Sequence, residues 1–332
     1  MATLGANSAT LSDWAARVDD GGKIAKIVEI MNDTNEVLTD MRWVEGNLPT
    51  GHKTTIRSGL PSVAWRLLNY GVQPSKSRTV QVTDSCGMLE AYAEVDKDLA
   101  DLNGNTAQFR LSEDRAFIEA MSQEMASVLF YGDVSNDPEK FHGLAARYDS
   151  LSAENAGNVI NAGGTGSDNY SMWLVVWGEN TVHGIFPKGK KSGLQFKDLG
   201  EVTLWDAQSP AGKYQGYRSH YKWDAGLSLR DWRYVVRICN IDISSLTKDM
   251  SGSSADLLDL IVQAIELPPS LSMGTPVFYC NRTIRSWLRR QMLRQSKLQI
   301  SMEEVAGKHV TMIDGIPVRR CDALVTEATP VS

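Results

Sequence analysis

The sequence predicts an α+β fold, and three observations support this class. An amphipathic helix pattern covers residues 113–131, and strand patterns dominate from residue 171 onward. An Asp314-Gly315 pair also separates two alternating segments near the end of the chain. Helical and extended patterns that occur in separate stretches of one chain indicate the α+β class.

The long helix is the strongest single prediction. Ser112 is placed to cap it, Glu113 and Asp114 suit the positive end of the helix dipole, and Gly132 stops it. Its apolar residues fall on one face, and they are Phe117, Ile118, Met121, Met125, Val128 and Leu129. A helix of this length spans roughly 30 Å, so it can brace a whole domain.

The first forty-five residues predict short helices rather than a core of their own. Thr10 or Ser12 can cap a first helix, and Gly21-Gly22 breaks it. A second helical stripe then follows, made of Ile24, Ile27, Val28 and Met31. So short an apolar stripe must pack on something distant, and we therefore expect an N-terminal arm.

Residues 46–86 predict a long projecting β-loop. They are rich in Gly, Pro, Ser and Thr, with extended runs at 52–58, 63–69 and 78–84. Pro61 and Pro74 exclude the runs from a central sheet, and Gly59 and Gly71 mark turns. A loop of this length is usually functional.

The rest of the chain alternates buried strands with two helices. The strand segments are SMWLVVWG, TVHGIFP, DWRYVVRICNID and VFYC, and the helical ones are SSADLLDLIVQAIEL and NRTIRSWLRRQMLRQ. The Asp-Gly pair at 314–315 predicts a hairpin.

Composition limits the possible functions. With 42% hydrophobic and 22% charged residues the chain is globular, and its net charge of -6 argues against a protein built mainly to bind nucleic acid. No apolar run is long enough for a membrane helix, and the first residues do not resemble a secretion signal. The four cysteines form no CxxC pair, which favours reduced, buried thiols.

No motif predicts catalysis, a cofactor or a metal. The five histidines lie far apart with no HExxH, and GxSxG is absent. The loops GGTGSDN and PKGKKSG lack the spacing of phosphate-binding loops, so we expect solvated loops. Lys188, Lys190 and Lys191 are still placed to meet an acidic neighbour or nucleic acid.

The segment NRTIRSWLRRQMLRQ combines an apolar stripe, formed by Ile284, Trp287, Leu288 and Met292, with arginines on both flanks. Three interpretations of these arginines remain open: a solvated face with internal ion pairs, a contact with an acidic neighbouring subunit, or a contact with DNA. The candidate intersubunit residues of this helix are Arg285, Arg289 and Arg294.

This order of elements resembles the major capsid proteins of tailed double-stranded DNA phages with the Hong Kong 97-type fold, particularly those of short-tailed phages (podoviruses). GLPSVAWRLLNYGVQPSKSRTVQV followed by GMLEAYAEVDKDLADL is similar to their extended loop and its return. LSEDRAFIEAMSQEMASVLFYGD followed by DPEKFHGLAARY resembles their spine helix and the turn after it. VTMIDGIPVRRCDALVTEA resembles the closing strands.

The resemblance implies a domain organisation. Residues 1–45 would be the N-terminal arm, 46–86 the extended loop (E-loop), and 87–150 a peripheral domain with the spine helix at 113–131. Residues 151–300 would form the axial domain with its connecting strands, and 301–332 would return to the peripheral domain.

The resemblance also implies a function. The chain would be a viral structural protein and no enzyme, a subunit that assembles in the host cytoplasm into the icosahedral head of the virion, around the double-stranded DNA genome. Its partners would be copies of itself in hexamers and pentamers, a portal and a cement or decoration protein, with weak nonspecific contact to packaged DNA and none to membrane.

Two features of some relatives are not expected here. Only residues 1–112 precede the predicted helix, so a separate scaffolding protein is expected instead of a built-in segment. Lys53 and Lys76 lie in the loop, yet nothing beside them in the sequence indicates a covalent cross-link, so we expect noncovalent assembly.

Within the loop, Trp65, Leu67 and Leu68 are candidate apolar anchors on a neighbouring subunit, with Arg57 and Arg66 pairing to acids. The alternative is that these side chains pack within the loop itself. Rival functions are an encapsulin-like nanocompartment shell, a β-rich hydrolase, or another phage structural protein such as a tail component.

Overall fold

The computed structural model describes residues 35–205, 212–248, 254–294, 302–305 and 308–332. The predicted arm helices between residues 10 and 31 lie outside the described residues.

The described chain combines five α-helices with thirteen strands, as the α+β prediction requires. The helices are α1 (Val37–Asp40), α2 (Lys97–Ala100), α3 (Thr106–Tyr131), α4 (Leu257–Glu266) and α5 (Arg282–Arg294). The first seven strands are β1 (Trp43–Glu45), β2 (Gly51–Gly59), β3 (Arg78–Asp96), β4 (Val159–Asn161), β5 (Asn169–Trp177), β6 (Val182–Phe186) and β7 (Gln195–Trp205). The others are β8 (Lys213–Leu229), β9 (Val235–Asp242), β10 (Thr275–Cys280), β11 (Met302–Val305), β12 (Lys308–Ile313) and β13 (Ile316–Arg320). Short 3-10 turns lie at Leu102–Gly104, Ala145–Arg147, Ala156–Asn158, Trp232–Tyr234 and Leu271–Met273.

The chain divides into two compact units. In the described residues the smaller unit comprises Met88–Ala126 and Lys191–Asp224. The larger comprises Thr34–Gly87, Ser127–Lys190 and Ala225–Ser332.

The larger unit is built around β5, which is buried along almost its whole length. β5 pairs antiparallel with β10 on one side and with β9 on the other, and β13 adds to β10 in parallel. A strand covered on both faces is expected to be mainly apolar, and the run MWLVVW of β5 meets that expectation.

Helices α4 and α5 pack on the same core. Asp256 caps α4 by accepting from the backbone N–H groups of Leu258 and Asp259, and the helix buries Ile261. In α5, Ile284, Leu288 and Met292 are buried as predicted, while Trp287 is half-buried and packs at the margin of the cluster.

The smaller unit has a modest core and many charge pairs. Val95, Ala100 and Phe109 are buried together, and β7 pairs with β8 as a hairpin. Ion pairs join Arg110 to Asp198 (2.6 Å), Lys97 to Glu201 (2.8 Å), Arg218 to Glu94 (2.6 Å) and Lys222 to Glu90.

The predicted start of the long helix is wrong. α3 begins at Thr106, not after Ser112, and ends at Tyr131 before Gly132 as predicted. Ser112 therefore lies inside the helix, where its hydroxyl donates to the Phe109 carbonyl (2.8 Å). Burial of Phe109 favours a helical conformation upstream of the predicted cap. On the predicted apolar face, Met121, Met125, Val128 and Leu129 are buried, but Ile118 is exposed.

The hairpin prediction is confirmed. Asp314 and Gly315 both have positive φ, 49° and 75°, and join β12 to β13. A two-residue hairpin turn with two positive φ values requires Gly or a short polar residue such as Asp.

All four cysteines are free thiols. Cys239, Cys280 and Cys321 are buried, as predicted, and Cys86 is half-buried. Burial raises the pKa of Cys239 to about 11 and that of Cys280 to about 12, so both remain protonated at neutral pH. In the described part of the chain no helix is long and apolar enough to cross a membrane.

A buried ion pair ties the end of the chain to the core of the larger unit. Arg237, on β9, contacts Glu327 at 2.8 Å and also donates to the Tyr148 carbonyl and the Ser171 hydroxyl. The Ser171 hydroxyl in turn donates to the Glu327 carboxylate. The Arg237 guanidinium also stacks over the ring of Trp173. Removal of one charge leaves the other buried without compensation.

We predict that Glu327→Gln lowers the free energy of unfolding by about 3 kcal/mol, because Arg237 loses its counter-charge. Denaturant unfolding measures this change. The paired replacement Arg237→Met with Glu327→Leu is expected to be much milder, because no charge is then left buried. The control is Glu179→Gln at the exposed pair with Arg42, for which a change below about 1 kcal/mol is expected. Equal effects in both single variants would contradict the prediction.

A buried histidine makes the larger unit sensitive to acid. His183 lies on β6 with its side chain fully buried. Burial, followed by the nearby Arg230 guanidinium, lowers the pKa of His183 from 6.5 to about 4. The unfolded chain therefore takes up this proton at higher pH than the folded chain does. The stabilisation is present above pH 6.5 and is lost as the pH falls towards 4.

Protonation of His183 is expected to cost the wild-type subunit up to about 3 kcal/mol of stability between pH 7 and pH 4. His183→Phe should abolish this part of the pH dependence, because the side chain no longer titrates. Denaturant titrations at several pH values measure the slope. Val182→Ala, at a buried apolar position on the same strand, serves as the control: it should lower the stability without changing its slope with pH. An unchanged slope in His183→Phe would show that other groups govern the acid response.

Candidate assembly surface

A two-stranded ribbon projects the segment that the sequence singled out. β2 pairs antiparallel with the first half of β3, from Gly51 opposite Ser85 to Arg57 opposite Thr79. The predicted extended runs at 52–58 and 78–84 are therefore confirmed. The run at 63–69 is not a strand, because residues 60–77 pair with no strand in the described chain. Pro61 and Pro74 also remove backbone donors on both sides of the run.

Residues 60–77, called the tip below, expose large apolar side chains. Trp65 is fully exposed, and Leu68 keeps 85% of its surface in solvent. The other large apolar side chains exposed on the tip are Leu60, Val63, Leu67, Tyr70 and Val72. Packing within the loop, the alternative interpretation of Trp65, Leu67 and Leu68, is not observed. Exposed apolar side chains so close together in the sequence are typical of an interaction surface.

Few internal bonds shape the tip. The Tyr70 N–H donates to the Leu67 carbonyl (3.2 Å), and the Ser75 hydroxyl donates to the Ser62 carbonyl (2.7 Å). Asn69 adopts a positive φ of 69°, a conformation that Asn tolerates better than most residues. These contacts hold the backbone and leave the apolar side chains available to a partner.

The two predicted arginines of the ribbon are also available. Arg57 lies on β2 and Arg66 on the tip, and both side chains are exposed. Neither makes an ion pair with any residue that the structure describes.

A buried charge pair fixes the base of the ribbon. Arg147 contacts the buried carboxylate of Asp84 on β3 at 3.0 Å. The same guanidinium donates to the carbonyls of His142 (3.4 Å) and Leu227 (3.2 Å). Beside this pair the backbones nearly touch, since a Cβ at Gly51 would lie 2.1 Å from the Asp84 carbonyl oxygen. A side chain at position 51 would therefore separate the strands.

His52 extends this base on β2. Its ring lies edge-on to that of His183, 6.0 Å away between centroids, and one nitrogen of Arg230 lies 3.4 Å from its Nε2. Burial and then the Arg230 charge lower the pKa of His52. The imidazole is therefore neutral at pH 7 and does not repel Arg230.

The arginines of α5 form a second candidate surface. Arg285 is half-buried and Arg289 is exposed, while the side chain of Arg294 lies outside the described residues. The Arg290 guanidinium sits over the ring of Trp287 at 4.8 Å, so part of this cationic face is engaged within the helix. The tip residues and these arginines belong to different elements of the larger unit.

The sequence did not predict the base residues Asp84, Arg147 and Arg230, because they lie far apart in the chain and no motif connects them. The full apolar extent of the tip could have been found from Leu60, Val63 and Tyr70, which are apolar residues in a stretch rich in Pro, Gly and Ser. Among the residues described here, no three His, Cys, Asp or Glu side chains converge to hold a metal.

Comparison with solved structures shows a strong similarity to a chain of a bacteriophage structure. A chain of the bacteriophage Epsilon15 structure is 37% identical, with 100% of this chain and 99% of that chain covered and a TM-score of 0.79. The bacteriophage JBD30 capsid is 7% identical over 90% of this chain and 95% of that chain, with a TM-score of 0.47. An encapsulin of Synechococcus elongatus PCC 7942 is 11% identical over 69% of this chain and 95% of that chain, with a TM-score of 0.45.

The family comparison covers almost the whole sequence. The model of the major capsid protein GP7 family matches residues 19–332. No curated protein matches. The predicted Hong Kong 97-type fold is confirmed by the Epsilon15 match, and the nanocompartment alternative is not favoured. This chain belongs to the major capsid protein GP7 family, a structural and not an enzymatic class, and its place is in the shell of a phage virion.

Proposed function

We propose that the tip is a noncovalent clamp that binds a neighbouring copy of the chain in an icosahedral shell of hexamers and pentamers. The observation that carries this proposal is the exposed apolar cluster of Trp65, Leu67 and Leu68. Their side chains have no packing partner in their own loop, and a shell subunit is surrounded by copies of itself.

Burial of one large apolar side chain contributes about 1.5–3 kcal/mol. Three such anchors per subunit form a contact of modest strength. Repetition over many subunits then closes a shell, because contacts within an assembly add through effective concentration.

The exposed arginines supply charge complementarity at the same contact. With 40 acidic and 34 basic residues, each copy offers its neighbours a surplus of carboxylates. Arg57 and Arg66 would pair with these carboxylates beside the apolar anchors. Arg285, Arg289 and Arg294 on α5 would form a second intersubunit contact of the same kind.

The domain assignment and the other partners follow from the family and are part of the proposal. Residues 87–150 with 301–332 would form the peripheral domain, residues 151–300 the axial domain, and residues 1–45 an arm. A separate scaffolding protein, a portal and a cement protein would act with the shell. The net charge of -6 supports only light contact with the packaged double-stranded DNA.

We predict that Trp65→Ala weakens each intersubunit contact by about 2 kcal/mol, roughly thirty-fold in its equilibrium constant. Particle yield and the dissociation temperature of the shell should both fall, as measured by sedimentation and thermal scanning. Subunit unfolding should not change, because the side chain is already in solvent. Trp65→Phe is the conservative control and should restore most of the yield. Unchanged yield and shell stability in Trp65→Ala would refute the clamp.

We also predict that the shell is held together without covalent links between subunits. Denaturing electrophoresis of mature particles should show the shell subunit only as a monomer, with Lys53 and Lys76 unmodified by mass spectrometry. A ladder of linked subunits would show the opposite.

A further inference from the structure

A groove follows the outer edge of β2, on the ribbon that carries the tip. In the strand order of the described residues β2 is the last strand, paired only with β3. An open cavity of about 460 Å³ lies beside it, with residues of β2 on one side and Asn180, Arg230 and Asp231 also in its lining.

The backbone of β2 is only partly satisfied along this edge. The Gly51 carbonyl accepts from the Leu48 N–H (3.1 Å). At Lys53, the Asn47 side chain accepts from the N–H and donates to the carbonyl, each at 2.7 Å, so its amide imitates one residue of a pairing strand. Successive residues of a strand direct their N–H and C=O groups to opposite edges, so those of Thr55 and Arg57 face the same edge as those of Lys53. No described residue bonds to them there.

The groove is positively charged. Lys53 and Arg57 are exposed along it, and Arg230 donates to Asn180 (3.2 Å) from another part of the lining. Its single acidic residue, Asp231, is already bound by Arg233 (2.7 Å). An unpaired strand edge beside uncompensated cations fits an extended acidic segment.

We infer that an extended acidic segment of a second copy of this chain adds to the edge of β2 beyond Asn47. Its backbone pairs with Thr55 and Arg57, and its carboxylates meet Lys53, Arg57 and Arg230. The net charge of -6 makes a second copy the complementary occupant. The edge is also continuous with the tip, so this inference rests on the proposed clamp for the presence of a neighbour.

Hydrogen exchange tests the pairing directly. In shells made of this chain alone, the amides of Thr55 and Arg57 should exchange about ten-fold or more slowly than in the unassembled subunit. The amide of Lys53 is an internal control, because Asn47 already binds it within the subunit. Equal exchange of Thr55 and Arg57 in both states would overturn the inference. Protection that occurs only in complete virions would assign the groove to another partner and overturn it as well.

Variants separate the groove from the tip. Thr55→Pro removes an N–H that faces away from β3, so the ribbon keeps its internal pairing, whereas Thr55→Val keeps the N–H and is the matched control. Thr55→Pro and Arg57→Glu should abolish the added protection at the edge, while Thr55→Val and Lys191→Glu should retain it. Retained protection in Thr55→Pro and Arg57→Glu would overturn the pairing. If Trp65→Ala leaves assembly unchanged while the edge is protected in wild-type shells, the clamp fails and the groove inference stands.

Discussion

A two-stranded ribbon cannot bury its own apolar side chains, and the structure around residues 51–84 depends on this constraint. An isolated pair of strands is marginal in water, so its conformation must be fixed from its base. The Asp84–Arg147 pair and the close approach at Gly51 provide that fixation. With the base held, the tip can present Trp65 and Leu68 to solvent without collapsing on them.

The sequence predicted the features that depend on neighbouring residues. The Asp314-Gly315 turn, the stop of α3 before Gly132 and the projecting loop with its two prolines are all local signals. The start of α3 was misplaced because Ser112 resembles a cap. Phe109 is instead buried with Val95 and Ala100, and this tertiary contact extends the helix upstream. Tertiary context often overrides local propensity in this way.

The long-range charge pairs could not be predicted, because their partners are separated by many residues. Asp84 with Arg147 and Arg237 with Glu327 have no spacing rule. From the sequence alone, Arg147 and Arg237 cannot be distinguished from the exposed Arg57 and Arg66. Only the fold separates charges that are neutralised internally from charges that remain available to a neighbour.

The tip and the groove would make complementary contributions to assembly. Apolar contacts are non-directional, so the tip would supply affinity but little control over alignment. Strand pairing at Thr55 and Arg57 would have a fixed register, because a shift by one residue reverses which side chains face each side. Asn47 adds to this control, since its amide already occupies Lys53 and so sets where an added strand must begin. A shell that uses both contacts can keep each one weak and reversible while still aligning its subunits.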